Sequence, residues 1–244
     1  MVICQSKNNI LDVKLPENLP EKPERIAKII ARSGFCSRRD AERLIADGRV
    51  RVNGERIDSP ALNLTNEEIR IDGKLLPRDN SQRVFVYYKP VGLVTSHKDE
   101  KGRDTVFDKL PANIPRVISV GRLDKNSEGL LLLTNDGKFA RKMELPENEF
   151  ERVYRVRVYG ELPRDNFTSL IRGIEIEGVR YAKIEVEIEK RAVNSWLRVT
   201  LFEGKNREIR RVMAHFGLEV SRLIRVKYGE YELGDMQPGQ IREI

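Results

Sequence analysis

Asp124 is the acid whose surroundings in this sequence suit chemistry. It follows Val117, Ile118 and Val120 and precedes Leu130-Leu131-Leu132-Leu133, a pattern that places it on a turn between two short buried strands. Apolar walls lower the local dielectric, so a carboxylate stays ionised there only if a cation or hydrogen-bond donors offset its desolvation. Arg122 and Lys125 are the near cations, and an arginine from far along the chain is the other source. A carboxylate held charged in this way can act as a nucleophile or a base. A turn aspartate bonded to its own backbone fits the same spacing.

Glu128 is a second acid four positions on, and paired carboxylates would suit a glycosidase or nucleosidase. On extended chain the two are offset along the strand, and the basic excess of the protein does not suit a neutral sugar. Arg207, Arg210 and Arg211 share a face of a helix one turn apart. A solvated face explains that placement, and so does a buried carboxylate that needs a planar guanidinium. Tyr154 lies in Glu151–Tyr159, which alternates so that Arg152, Tyr154, Val156 and Val158 share one side; core packing is its plain role. His97 falls in a polar loop and His215 near a helix end, and neither position singles out a base.

The elements that must position these residues can be followed along the chain. Residues 1–22 hold Pro16, Pro20 and scattered apolar residues and read as a flexible extension. Ile26, Ile29 and Ile30 mark a short helix ending at Ser33-Gly34. Ser37 with Asp40 caps a second helix carrying Ala41, Leu44 and Ile45, and Arg49–Gly54 reads as a strand and tight turn. Residues 77–82 form a polar boundary. Beyond it the pattern predicts strands over 84–89, 151–159, 183–190 and 195–202, a helix over 163–172, and a pair of short strands over 173–181. Asn206 is placed to cap a helix with Ile209, Val212, Met213 and Phe216 on its apolar face. Val220–Gly229 closes the sheet and adds Arg222, Arg225 and Lys227 as basic surface.

The whole chain of 244 residues has 45 Lys+Arg against 38 Asp+Glu, a net charge of +7. Residues 22–56 hold ten of the cations against five acids, an excess of five that is most of the total. That suits a polyanionic partner. The two cysteines have no metal-ligand spacing, which fits a reducing cytoplasm, and no apolar run approaches the ~20 residues that cross a bilayer.

Gly121-Arg-Leu-Asp124, followed by Ser127-Glu-Gly-Leu-Leu-Leu-Leu-Thr-Asn-Asp-Gly137, resembles the signature of the RsuA/RluB branch of rRNA pseudouridine synthases. Lys89-Pro90-Val91-Gly92 resembles the opening of the catalytic domain in that family. Arg25–Gly34, Cys36–Glu42 and Gly48–Gly54 resemble an S4 RNA-binding domain. The resemblance implies an α+β protein: a flexible extension over 1–22, an S4-type domain over 23–80, and over 83–244 a catalytic domain with a mixed, mainly antiparallel sheet flanked by helices. It also implies conversion of a uridine in rRNA to pseudouridine by glycosidic cleavage, base rotation and C–C reattachment, without metal or cofactor; the sequence has no Cys/His cluster, Walker loop or GxGxxG.

By the same resemblance Asp124 is the catalytic aspartate, Tyr154 stacks on the target base, and Arg210 pairs with Asp124. Arg122 holds the uridine out of the RNA stack. The expected RNA contacts are Lys28, Arg38, Arg39, Arg43, Arg49 and Arg51 in the first domain, and Lys89, Lys205, Arg207 and Arg211 in the second. The tail resembles the large-subunit (23S) type more than the small-subunit (16S) RsuA type, so a cytoplasmic monomer acting on a stem-loop of large-subunit rRNA, with no membrane, is the expectation. A non-catalytic S4-domain ribosome-assembly factor is the rival reading.

Overall fold

The structure, a computed structural model, describes residues 22–77, 81–165 and 167–244; the expected extension over 1–22 lies, except for residue 22, outside them, as do 78–80 of the expected boundary. The chain divides into two compact units, the first ending at Pro77. Among the described residues no helix is long and apolar enough to cross a membrane.

In the first unit, helix α1 (Ile26–Arg32) and helix α2 (Arg38–Ala46) carry the predicted apolar stripes. Ser37 Oγ accepts the Asp40 N–H at 3.1 Å and donates to the Asp40 carboxylate at 2.6 Å, so the predicted cap forms. Ile26, Ile30, Ala41 and Ile45 pack with Val50, Ile69 and Ile71 of a small four-stranded antiparallel sheet into one core.

The second unit is built on a nine-stranded sheet. Its main path runs Ile184–Lys190, Asn194–Leu201, Arg152–Tyr159, Glu219–Tyr228, Glu128–Thr134, Val84–Lys89, Ile241–Glu243. All neighbours on that path are antiparallel except Glu219–Tyr228 with Glu128–Thr134, which are parallel. The sheet is therefore mixed and mainly antiparallel, as expected. Leu131 and Leu133 enter one core cluster and Leu130 and Leu132 the other, so both faces of the sheet are covered and the leucine run needs no alternation. Helix α3 (Gly137–Glu144) puts Ala140 and Met143 in one cluster, and helix α4 (Glu208–His215) puts Ile209, Val212 and Met213 in the other.

Three expectations are corrected. Glu219–Tyr228 does not close the sheet but lies inside it, which buries Arg225 instead of leaving it as basic surface. The 163–172 segment yields only a 3-10 turn at Thr168–Arg172, because the Asp165 carboxylate takes the N–H groups of Phe167 and Ser169 and competes with a regular helix start. Asn206 does not cap α4: the residue before the helix is Arg207, in left-handed conformation, and the Glu208 carboxylate instead turns back onto the Lys205 N–H at 2.9 Å.

Candidate active site

Residues 120–127 carry Asp124 from the short strand Ile118–Ser119 to Glu128–Thr134. Their backbone is held from several segments at once. The Thr95 hydroxyl donates to Leu123 O at 2.9 Å, Gly92 N–H to Lys125 O at 2.8 Å, Arg210 Nη2 to Asn126 O at 2.8 Å and Lys89 Nζ to Ser127 O at 2.7 Å. Glu144 accepts the Gly121 N–H at 2.7 Å. The Asp124 carbonyl accepts the Ser127 N–H at 3.0 Å, so the turn bonds to itself through its backbone. Its carboxylate is left over: the side chain is 36% exposed, and its ion contact is Arg207 Nη1 at 4.0 Å. A rigid support around a free functional group is the arrangement that pre-organises chemistry.

That carboxylate faces a cleft of about 800 Å³, bordered also by Thr95, Tyr154, Arg207, Leu223 and Arg225. Tyr154 is 9% exposed and sits opposite Arg225 across the ladder. The register of that ladder slips between Val153 and Tyr154, a bulge that re-aims the side chain at the cleft edge. Gly129, outside the cleft itself, sets how closely Arg225 is approached. Its φ is +102°, and a Cβ there would lie 2.7 Å from Arg225 N and closer still to Arg225 O, so only glycine lets the strand after Asp124 approach Arg225.

Ionisable groups buried around the cleft are shifted. Burial pulls Lys89 down to about 8, against the opposing fields of Asp124 and Glu128. It pushes Glu208 up to about 7, helped by the nearby Glu203 charge and opposed by the Lys205 N–H. Arg210 is lowered by burial and by Arg207, and held up by Asp124. Glu128, the second carboxylate considered, is buried and bound by Arg222, with Nε to Oε1 at 2.6 Å, and by the Tyr88 hydroxyl at 3.2 Å. It does not border the cleft, which removes the support for a paired-carboxylate glycosidase.

Residues 83–215 match the family model described as RNA pseudouridylate synthase, and residues 24–74 match the S4 domain. The chain belongs to the RNA pseudouridylate synthase family. It is 51% identical over 223 residues to a Rickettsia bellii protein named "Uncharacterized RNA pseudouridine synthase", covering 91% of this chain and 96% of that one. It is 42% identical over 218 residues to the Yersinia pestis "Ribosomal large subunit pseudouridine synthase B", covering 86% and 69%. A solved structure titled "Crystal structure of pseudouridylate synthase" aligns with a TM-score of 0.65 at 26% identity, covering 90% of this chain and 95% of that one.

Of the residues singled out in this synthase, Asp124, Arg122, Tyr154, Lys205 and Arg207 all border the cleft. Arg210 does not pair with the Asp124 carboxylate. Its Nη1 donates to Val220 O at 2.9 Å and its Nη2 to Asn126 O, so it ties the Asp124 loop to the neighbouring strand, and the ion contact falls to Arg207 one helical turn earlier. Lys89 is corrected as an RNA contact: it is fully buried, with its ammonium on Pro90 O and Ser127 O. Lys205 is exposed but engaged by Glu203, and Arg211 is exposed on α4.

In the first unit Arg38 and Arg39 are exposed with no ion pair among the described residues. Arg43 meets Asp40 at 3.3 Å, Arg49 is paired with Asp72, Lys28 bonds Glu24 at 2.8 Å, and Arg51 donates to Gly54 O. His97 is exposed in its loop, with one face stacked on Phe107 at 3.6 Å between ring centroids; desolvation of that face and the Arg116 charge lower its pKa, and it does not border the cleft. Sequence reasoning missed Glu208 and Arg225 as parts of the cleft and Arg152 as its buried brace, with Nη2 on the Tyr228 hydroxyl at 3.0 Å. Burial of an arginine on an interior strand leaves no compositional signal.

Proposed function

We propose that this synthase isomerises a uridine of ribosomal RNA to pseudouridine, with Asp124 opening the C1′–N1 bond and Tyr154 lying against the everted base. The observation that carries the reading is the half-exposed Asp124 carboxylate, touched at 4.0 Å by Arg207, on a loop whose backbone is otherwise fixed, facing a cleft that Tyr154 shares. At about 800 Å³ the cleft is within the size range of small-molecule sites, so a single nucleotide taken out of its stack fits it. Arg210 acts through the loop by holding the Asn126 carbonyl, and Arg122, exposed at the cleft, is placed to fill the gap that the base leaves. The isomerisation breaks C1′–N1, forms C1′–C5, removes the C5 proton and returns one to N1, so nothing is gained or lost overall.

Similarity to proteins named ribosomal large subunit pseudouridine synthase B favours a large-subunit stem-loop as the target. On this reading the basic first unit positions the protein through phosphate contacts, and the protein works as a cytoplasmic monomer. The test is tritium release from C5-labelled uridine in rRNA taken from a strain lacking the protein, followed by mapping of the modified position. Asp124→Asn is expected to abolish release while RNA binding persists. Undiminished release removes Asp124 from the mechanism; binding without any release by the wild-type protein favours an assembly factor, and a modified site in small-subunit rRNA overturns the subunit assignment.

A further inference from the structure

Arg225 is a cation in an unusual setting. It sits on an interior strand, is 2% exposed, and borders the same cleft as Asp124 and Tyr154. A guanidinium cannot shed its proton to escape burial, so it must find compensation. No carboxylate lies within 4.0 Å of it among the described residues. Its Nε–H donates to Leu130 O at 2.7 Å, and its carbon lies 4.9 Å from the centre of the Tyr228 ring. Nη2 is buried with no hydrogen-bond partner. The nearby Arg152, also buried against Tyr228, shows the contrast: its Nη1 and Nη2 are both taken, by Phe150 O, Phe202 O, Met143 O and the Tyr228 hydroxyl. A buried donor left unmade costs about 1–3 kcal/mol, and such groups persist where function uses them.

We infer that Arg225 is a catalytic residue that meets the everted uracil, donating to O4 from Nη1, which makes no hydrogen bond among the described residues and is not sealed in as Nη2 is, and stabilising the anionic base that forms when C1′–N1 breaks. The inference rests on the proposed reaction and deepens it. Whether Asp124 attacks C1′ or acts as a base, the electron pair of the broken bond stays with the base and spreads over N1, O2 and O4. C5 then bonds to C1′, displacing the Asp124 carboxylate where it had attacked, or with C2′ regaining its proton where Asp124 had acted as a base; that bond discharges the uracil anion, and loss of the C5 proton with uptake of one at N1 completes the isomer. A fixed positive charge in a site already dry is worth most at the moment the anion exists, because nothing has to reorient.

Position argues for the base over a phosphate. Arg225 is the cross-strand partner of Tyr154, so their side chains emerge on the same side of the sheet. A nearly inaccessible cation is suited to the part of the nucleotide that is everted inward, while the phosphate backbone stays with the RNA outside. The edge also selects: uracil presents oxygen at C4, whereas cytosine presents an amino group whose protons would oppose the guanidinium.

The experiment is single-turnover tritium release at saturating C5-labelled rRNA, with RNA affinity measured alongside, for wild type, Arg225→Met and Arg225→Lys. Arg225→Met, which matches the length and removes the charge, is expected to slow release about 100-fold or more with affinity unchanged. Arg225→Lys, which keeps the charge and loses the fork, is expected to recover part of that loss. A folded Arg225→Met with a rate near wild type overturns the proposal, as does a loss confined to affinity, which would point to a phosphate contact. If Arg225→Met fails to melt cooperatively, Arg225→Lys decides: wild-type release overturns the proposal, and a slowed chemical step at unchanged melting temperature supports it. Wild-type protein that releases no tritium overturns the reaction on which the inference stands, an outcome distinct from the others.

Discussion

Arg207 reaches to 4.0 Å of the Asp124 carboxylate from a left-handed backbone with φ of 51°. For a residue with a Cβ that conformation costs roughly 1–2 kcal/mol. The contact does not recover it: the two side chains are 49% and 36% exposed, and ion pairs of that kind contribute about 0–1 kcal/mol. Stability therefore gives no reason for the geometry. What it does achieve is to bring Arg207, just before α4, to the cleft, while Arg210, one turn on, gives both Nη groups to the Asn126 and Val220 carbonyls.

Arg207→Gly separates these two effects. Glycine takes the left-handed conformation without strain but loosens the unfolded chain, so unfolding free energy should change by less than about 1 kcal/mol. The rate of pseudouridine formation should fall about tenfold, the equivalent of roughly 1.4 kcal/mol of barrier. Thermal melts and initial rates on the same preparation check it; a wild-type rate would show that the guanidinium plays no part.

Glu208 gives the stability a pH dependence. Burial raises its carboxyl from 4.5 to about 7, so between those values the folded protein holds a proton that the unfolded chain has released. Stability from this group is complete below about 4.5 and is lost as pH rises through 7. Glu208→Gln, which keeps the shape and cannot ionise, should flatten that part of the curve and be more stable relative to wild type at pH 8 than at pH 5. Identical differences at the two pH values in denaturant titrations would contradict the shift.

How much of this was legible in the sequence depended on whether the signal was local. The α2 cap, the leucine strand and the alternation around Tyr154 are short-range patterns, and each forms where its spacing places it. The motif around Asp124 likewise located the cleft. What the sequence could not disclose is which of several arginines does which job. Arg207, Arg210 and Arg211 are equivalent on a helical wheel, and only the left-handed turn at Arg207 divides their roles. Arg225 read as surface because its strand was taken for the sheet's edge, and parallel pairing with Glu128–Thr134, set by long-range topology, buries it. Lys89 follows an apolar run, as a surface-seeking lysine would, and is instead enclosed with its ammonium on the loop carbonyls.

Lys89 should behave as a buried structural cation. Its pKa falls from 10.5 to about 8, so from about 8 to 10.5 the unfolded chain binds more protons than the folded one. Its contribution to stability then rises with pH in that window, because the cost of burying the charge is relieved. Lys89→Met should remove this rise. It should also destabilise the protein at pH 7 by about 1–3 kcal/mol, since the Pro90 and Ser127 carbonyls lose their donor. Melting curves from pH 7 to 10 for both proteins test the sign: if the two curves stay parallel, Lys89 is not shifted downward.

Gly129→Ala tests the geometry that brings the Asp124 loop beside Arg225. The new methyl would stand 2.7 Å from Arg225 N at a backbone φ of +102°, so the strand must retreat from its parallel partner and the Ile224–Glu128 and Arg225–Gly129 register must open. Overpacking alone costs about 1–3 kcal/mol, and the strained backbone adds about 1–3 kcal/mol more. Gly121→Ala, three residues before Asp124, is the control: φ is +67° but nothing lies within 4 Å of its Cβ, leaving only the conformational cost of about 1–2 kcal/mol. Gly129→Ala should thus be the more damaging by a clear margin in equilibrium unfolding. Because the retreat displaces Arg225 as well as Asp124, it should also lose activity under conditions where both variants remain folded. Equal losses of stability in the two variants would mean that the close approach of these strands does not constrain the site.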